Sequence, residues 1–186
     1  MAFTRIEEPQ LLKIIDSCTH LEALNLLNVR VNSIICRRIA ELSPQLKALR
    51  MTSPWVSGVI LLQNFLHSGD SFPLLEELHV PTSFAISPES LLFRKLARQC
   101  PQLRVLIVGG IFKQDLNCFA LNMSKLQVFA TNRSADLDIP CLKHLLKNCP
   151  DMSYLGLGKC NLLNEDITKL RNEFLHCRIE ELSDLK

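Results

Sequence analysis

The sequence predicts an α/β solenoid, one domain of stacked strand-plus-helix units, and three observations carry that expectation. A Leu-x-x-Leu-x-Leu block returns about every 26 residues, a period typical of stacked repeats. An apolar pattern of helical period occupies each interval between blocks. Most blocks are preceded by a small or apolar residue and then a proline, which ends a helix before a strand can begin.

Taken in order, the blocks start at residues 21, 46, 75, 103, 126, 152 and 179, at intervals of 25, 29, 28, 23, 26 and 27. The expected strands are 21–26, 46–51, 75–80, 103–108, 126–131, 152–157 and 179–184. Their inward residues run from Leu21, Leu24 and Leu26 through Leu46, Leu49 and Met51, then Leu75, Leu78 and Val80. Leu103, Leu106 and Val108 follow, then Leu126, Phe129 and Thr131, Met152, Leu155 and Leu157, and a weaker Ile179, Leu182 and Asp184. First, fourth and sixth positions share a face only if the strand bends, since a regular strand has period two. The return helices are expected over Gln10 to Cys18, Ser33 to Leu42, Ser57 to Leu66, Ser87 to Cys100, Asp115 to Leu121, Asp138 to Cys149 and Glu165 to Cys177. Each would close the core with its apolar stripe. Ser87-Pro88-Glu89-Ser90 places proline at the first helical position, where its missing N–H costs nothing.

The turns into the strands read Cys18-Thr19-His20-Leu21, Ser43-Pro44-Gln45-Leu46, Phe72-Pro73-Leu74-Leu75, Cys100-Pro101-Gln102-Leu103 and Cys149-Pro150-Asp151-Met152. Together with the run Leu155-Gly156-Leu157-Gly158-Lys159-Cys160-Asn161-Leu162-Leu163, they resemble the cysteine-containing subclass of leucine-rich repeats found in F-box/leucine-rich-repeat proteins. The resemblance extends from about residue 10 to the end of the chain. It departs from the family at the turn position held by Cys160, which carries Val29, Pro54, Ser83, Ile111 and Ser134 in other blocks. The resemblance implies a leucine-rich-repeat horseshoe of about six to seven repeats, with parallel strands on the concave side and helices on the convex side. It also implies a role in recruiting substrates to a cullin-RING (SCF) ubiquitin ligase, through a separate helical F-box. No F-box is recognisable in this chain, and its first 20 residues are too short for one. The expectation is also that the last strand ends the array without a polar cap.

Composition narrows the possibilities. With 186 residues and 47% hydrophobic content the chain can bury a continuous core, and one domain suffices. Its 21 basic and 19 acidic residues are interspersed, with no block of like charge that would mark a nucleic-acid or membrane surface. Arg37, Arg38, Arg94, Lys95 and Arg98 fall on outer helix faces. No apolar run approaches the ~20 residues of a membrane span. Eight cysteines are present, and Cys18, Cys100, Cys149 and Cys160 recur at what look like equivalent inward positions. The N-terminal Met1 to Pro9 carries no apolar export segment, so free thiols in a reducing compartment, cytoplasm or nucleus, are expected. The triplets Asn122-Met123-Ser124 and Asn132-Arg133-Ser134 would be glycosylated only in a secreted chain.

Signatures of catalysis are missing from the sequence. Gly156-Leu157-Gly158-Lys159 lacks the phosphate-loop glycine, because Ser153 holds that position, and no Ser or Thr follows Lys159. Cys141, His144 and Cys149 lie in one expected helix at offsets that do not form a zinc quartet. His20, His67, His79 and His176 have no carboxylate at a motif spacing. The expectation is a non-catalytic module without cofactor or metal, binding a protein on its concave face.

Residues at block positions 3, 5 and 7 project onto that face. They include Arg50, Glu77 and His79 in a polar region, followed by Val105, Ile107, Val128 and Ala130 as an apolar strip with Tyr154 at its edge. These eight residues are the expected protein-binding site, with Tyr154 as an aromatic anchor. Trp55 is expected to pack a loop instead. An LRR scaffold or enzyme inhibitor unrelated to ubiquitination is the competing functional class.

Overall fold

The structure is a computed structural model that describes residues 6–18, 20–27, 29–42, 45–52, 58–66, 71–81, 90–134 and 136–182. In these residues seven helices alternate with seven strands: α1 (Glu8–Ser17), β1 (Ala23–Leu26), α2 (Ser33–Leu42), β2 (Ala48–Met51), α3 (Gly58–Phe65), β3 (Glu77–Val80), α4 (Ser90–Gln99), β4 (Val105–Gly109), α5 (Lys113–Asn122), β5 (Val128–Asn132), α6 (Ile139–Asn148), β6 (Tyr154–Gly158), α7 (Asn164–Glu173) and β7 (Arg178–Leu182). The strands form one open parallel sheet in the order β1 to β7, each paired with its neighbours in sequence. The arrangement is solenoid-like, because each helix from α2 to α7 carries the chain from one strand to the next. Ser43, Pro44, Pro54, Trp55, His67, Ser83, the Ser87-Pro88-Glu89 helix start and Asp184 lie outside the described residues.

The register explains the recurring block. Leu24, Leu49, Leu78, Leu106, Phe129, Leu155 and Ile179 are mutual partners across all seven strands. All but the half-buried Leu24 are buried, so the fourth position of each block forms a ladder at the base of the core. Met51, Val80, Val108 and Leu157 repeat this at the sixth position, where Thr131 is also fully buried. Its Oγ1 lies 3.0 Å from Ser134 Oγ, which satisfies the hydroxyl that an apolar residue would not bring. The helices close the core from one side. α5 contributes Leu116 and Phe119, α6 contributes Leu142 and Leu145, and α7 contributes Ile167 and Leu170. Phe119 meets Phe93 of α4 edge-on at 4.7 Å and Phe129 of β5 at 5.5 Å, so a single ring joins three elements.

Helix ends repeat as closely as the strands. Cys100, Met123, Cys149 and Phe174 are buried where α4 to α7 meet their following turns, and Phe72 is buried at the matching place before β3. In each case the carbonyl accepts from the N–H three residues on: Leu75, Leu103, Leu126, Met152 and Cys177, at 3.0–3.2 Å. Proline at the next position helps but is not required, since Ser124 and Leu175 occupy it in two of these turns. After the strands, Gly110, Arg133 and Lys159 all take positive φ, of 55°, 56° and 48°, at one equivalent position. A recurring left-handed turn therefore leads out of β4, β5 and β6 regardless of side chain.

Two sequence expectations change. The seventh block is displaced: Arg178 pairs with Tyr154 and Ile179 with Leu155, so the block starting at 179 is out of register by three residues. Cys177 takes the place of Met152 in the turn, and one fewer residue separates it from the strand. The four cysteines are not equivalent either. Cys18, Cys100 and Cys149 terminate helices, whereas Cys160 follows the left-handed turn after β6, its Sγ 3.5 Å from the Gly158 carbonyl. Polar groups also border β7. Arg171 Nε donates to the Ile179 carbonyl at 2.8 Å, closing a backbone group on the sheet edge, and Glu165, Thr168, Lys169 and Asn172 of α7 are exposed.

Candidate functional site

With helices covering one side of the sheet, the other side is lined by the alternate strand residues. Two cross-strand rows define it. One runs Ala23, Ala48, Glu77, Val105, Val128, Tyr154, Arg178, and the next runs Asn25, Arg50, His79, Ile107, Ala130, Gly156, Glu180. All eight residues expected to bind protein therefore lie on one face, brought together from five adjacent strands.

At the β2–β3 end, an Arg50 guanidinium nitrogen donates to Glu77 Oε2 at 3.0 Å. His79 Nε2 stands 3.8 Å from the same oxygen, too far for a hydrogen bond, and is buried without a partner. Burial is the main cause lowering the His79 pKa, the Arg50 charge adds to it, and Glu77 opposes both. The ring is thus neutral at physiological pH, beside a pair whose charges cancel. Sequence reasoning set His79 apart from any carboxylate, but a two-residue spacing on a strand puts Glu77 on the same face.

The apolar centre is narrower than expected. Val105, Ile107 and Val128 are half-buried and reachable, but Ala130 is only 2% exposed and is not part of an open strip. The cause lies on β6 and β7. A Cβ built on Gly156 would come 2.8 Å from Leu182 Cδ1, 3.0 Å from Tyr154 Cε1 and 3.1 Å from Ala130 Cβ. Leu182 and the Tyr154 ring therefore lean over the glycine and shield the alanine beside it.

Tyr154 is accordingly a fixed edge to the face. Its hydroxyl donates to Glu180 Oε2 at 3.0 Å, and Arg178 Nε donates to Glu180 Oε1 at 2.8 Å. Partial burial, then the bond to the Glu180 carboxylate, raise the phenol pKa; Arg178 and then Tyr154 lower that of Glu180. The displaced seventh block hid Arg178, Glu180 and Leu182 from the sequence reading. Starting the frame three residues earlier, at His176, would have placed all three on this face.

Other candidate chemistry does not converge. Among the described residues no group of three His, Cys, Asp or Glu side chains is placed to hold a metal ion. Cys141 and Cys149 are buried and His144 is half-buried. The eight cysteines are free thiols; burial pushes Cys36 and Cys100 up to about 12, and Cys141, Cys149 and Cys177 up to about 11, so they stay protonated and unreactive near neutral pH. Asn132 is buried and Asn122 is exposed. Among the described residues no helix is long and apolar enough to cross a membrane. No family model matches the chain.

Proposed function

We propose that the chain is a leucine-rich-repeat horseshoe of the cysteine-containing subclass, acting as a non-catalytic module that binds another protein on the concave side of its sheet. The observation that carries this reading is the helix-free sheet face, where half-buried Val105, Ile107 and Val128 lie between two sets of paired charges, Arg50 with Glu77 and Arg178 with Glu180. An apolar centre with a polar border is the usual anatomy of a protein-binding patch. The repeated left-handed turn and the buried residues at the ends of α4 to α7 support the repeat assignment.

The sharper reading is the substrate-recognition part of an F-box-type (SCF) ubiquitin ligase receptor, in the cytoplasm or nucleus. It rests on the Cys100-Pro101 and Cys149-Pro150 turns, on Cys160 after the glycine-containing strand, and on free thiols suited to a reducing compartment. Affinity purification from cells tests both levels. The ligase reading expects adaptor and cullin subunits together with a substrate protein, and Tyr154→Ala combined with Val105→Asp removes the substrate while circular dichroism stays unchanged. Retention of every partner by that double variant rejects the concave face. Loss of a partner in the absence of ligase subunits leaves a binding scaffold or enzyme inhibitor.

A further inference from the structure

Ile34, Ile60 and Leu91 each stand directly before the first buried pair of their helix, in α2, α3 and α4 respectively, and are 54%, 47% and 79% exposed. The same place holds Gln10 in α1 and Gln114 in α5, so an aliphatic row spans three successive helices and stops at a polar residue on either side. A single exposed aliphatic side chain is ordinary, but three at one repeated position form a patch. Beside the row, a groove of about 270 Å³ between α1 and α2 is lined by Leu12, Asp16, Ile34, Arg37, Arg38 and Glu41. Leu12 and Ile34 give it an apolar wall, and it has room for one bulky aliphatic side chain.

Charge selects the occupant. α2, α3 and α4 carry five cations, Arg37, Arg38, Arg94, Lys95 and Arg98, and one carboxylate, Glu41. Arg38 is already held by Asp16 at 2.7 Å and by Glu41 at 3.1 Å. Arg37, Lys95 and Arg98 form no ion pair among the described residues. Arg37 and Arg94 follow Ile34 and Leu91 by three residues, one turn along the same side of each helix, so cations border the aliphatic row. α2 packs against α3, which sets Ile34 and Ile60 about 10 Å apart, the rise of seven residues of α-helix. No aromatic side chain is exposed on α2 to α4, Phe65 and Phe93 being buried, so the row lacks the rings that commonly anchor an amphipathic surface in lipid. A second copy does not fit either. The helix richest in carboxylates, α7, buries its Ile167 and Leu170 and has no apolar stripe to offer.

We propose that α1 to α4 form a second binding surface, separate from the open sheet face, for an acidic amphipathic helix of a partner protein. One aliphatic residue of that helix enters the α1–α2 groove against Leu12 and Ile34, another seven residues on covers Ile60, and its continuation reaches Leu91. Carboxylates along one border of its apolar stripe meet Arg37 and the cations of α4. The apolar contacts hold the helix in place, and the charges select acidic sequences over basic ones.

The full chain is titrated, by fluorescence anisotropy, with stapled helical peptides that hold leucine at every seventh position and Glu, Gln or Lys at the positions bordering it. The expected affinity order is Glu, then Gln, then Lys, with the Glu peptide weakened by added salt. Ile34→Glu and Ile60→Glu should each weaken the Glu peptide about tenfold, whereas Val105→Asp on the sheet face should leave it unchanged. Arg37→Glu combined with Arg98→Glu should reverse the preference, so that the Lys peptide binds better. A reversal cannot come from a damaged fold. Equal binding of the Glu and Lys peptides, binding that ignores Ile34→Glu, or no binding by any peptide overturns the proposal. Binding to phosphatidylserine vesicles that Ile34→Glu abolishes, with none to the peptides, makes the surface a lipid contact and overturns it as well.

Discussion

Gly156 and Gly158 lie two residues apart on β6, yet they carry different constraints. At Gly156 the closest approach to an added methyl is Leu182 Cδ1, the end of a flexible side chain, at 2.8 Å. At Gly158 it is Asn132 Cβ at 2.8 Å, fixed to the backbone of the paired strand. Gly156→Ala should therefore cost under about 1 kcal/mol as Leu182 swings away, whereas Gly158→Ala should cost about 1–3 kcal/mol in urea unfolding, the usual range for overpacking. His79 supplies a pH signature. Its folded pKa lies below the ordinary 6.5, so the unfolded chain binds the proton more readily and stability falls as pH drops below that value. The loss levels off once the folded ring is also protonated. His79→Asn should flatten this slope, and Glu77→Gln should move the imidazole titration, followed by NMR, to still lower pH, because the carboxylate opposes the shift. An upward move would contradict the geometry.

α5, α6 and α7 are each set between a turn that starts them and a buried residue that ends them. α6 shows the first part clearly. Asp138 Oδ1 accepts from Cys141 N at 2.9 Å, while Cys141 Sγ lies 3.3 Å from Asp138 N, a reciprocal cap in which a thiol replaces the usual glutamate. Asp138 also pairs with Lys113 at the start of α5, so the cap ties two neighbouring units together. Asp138→Ala should lower stability by about 1 kcal/mol, measured by chemical denaturation, and Asp138→Ser should recover much of it by restoring the cap oxygen. At α5 the equivalent bond comes from inside the helix, since Asp115 Oδ2 accepts from Phe112 N at 2.9 Å and is fully buried. Helix starts thus differ in chemistry between α5 and α6, whereas the ends of α4 to α7 keep one geometry.

Across the whole molecule the units stack in sequence order, so each depends on its immediate neighbours for a complete core. Phe119 is the clearest joint, fully buried between Phe93 and Phe129. Phe119→Ala should cost about 3–5 kcal/mol and raise hydrogen exchange most in β4, β5 and α4. Equal exchange along all seven strands would mean that the array unfolds only as one body. The recurring leucines made the sheet order, parallel direction and six of seven strand registers legible in sequence, because each inward ladder must bury the same kind of side chain in successive units. Helix positions were legible to within one to three residues at most ends, their apolar stripes being fixed by the same core. The gathering of Arg50, Glu77, His79, Val105, Ile107, Val128 and Tyr154 on one face followed from strand alternation alone. Tertiary structure decided the rest: the shortened turn at Cys177, the Leu182 and Tyr154 cover that buries Ala130, and the unpaired ring nitrogen of His79. Those features depend on which side chain leans across a neighbouring strand, a matter of distances between residues some 25 positions apart that a periodic pattern does not encode.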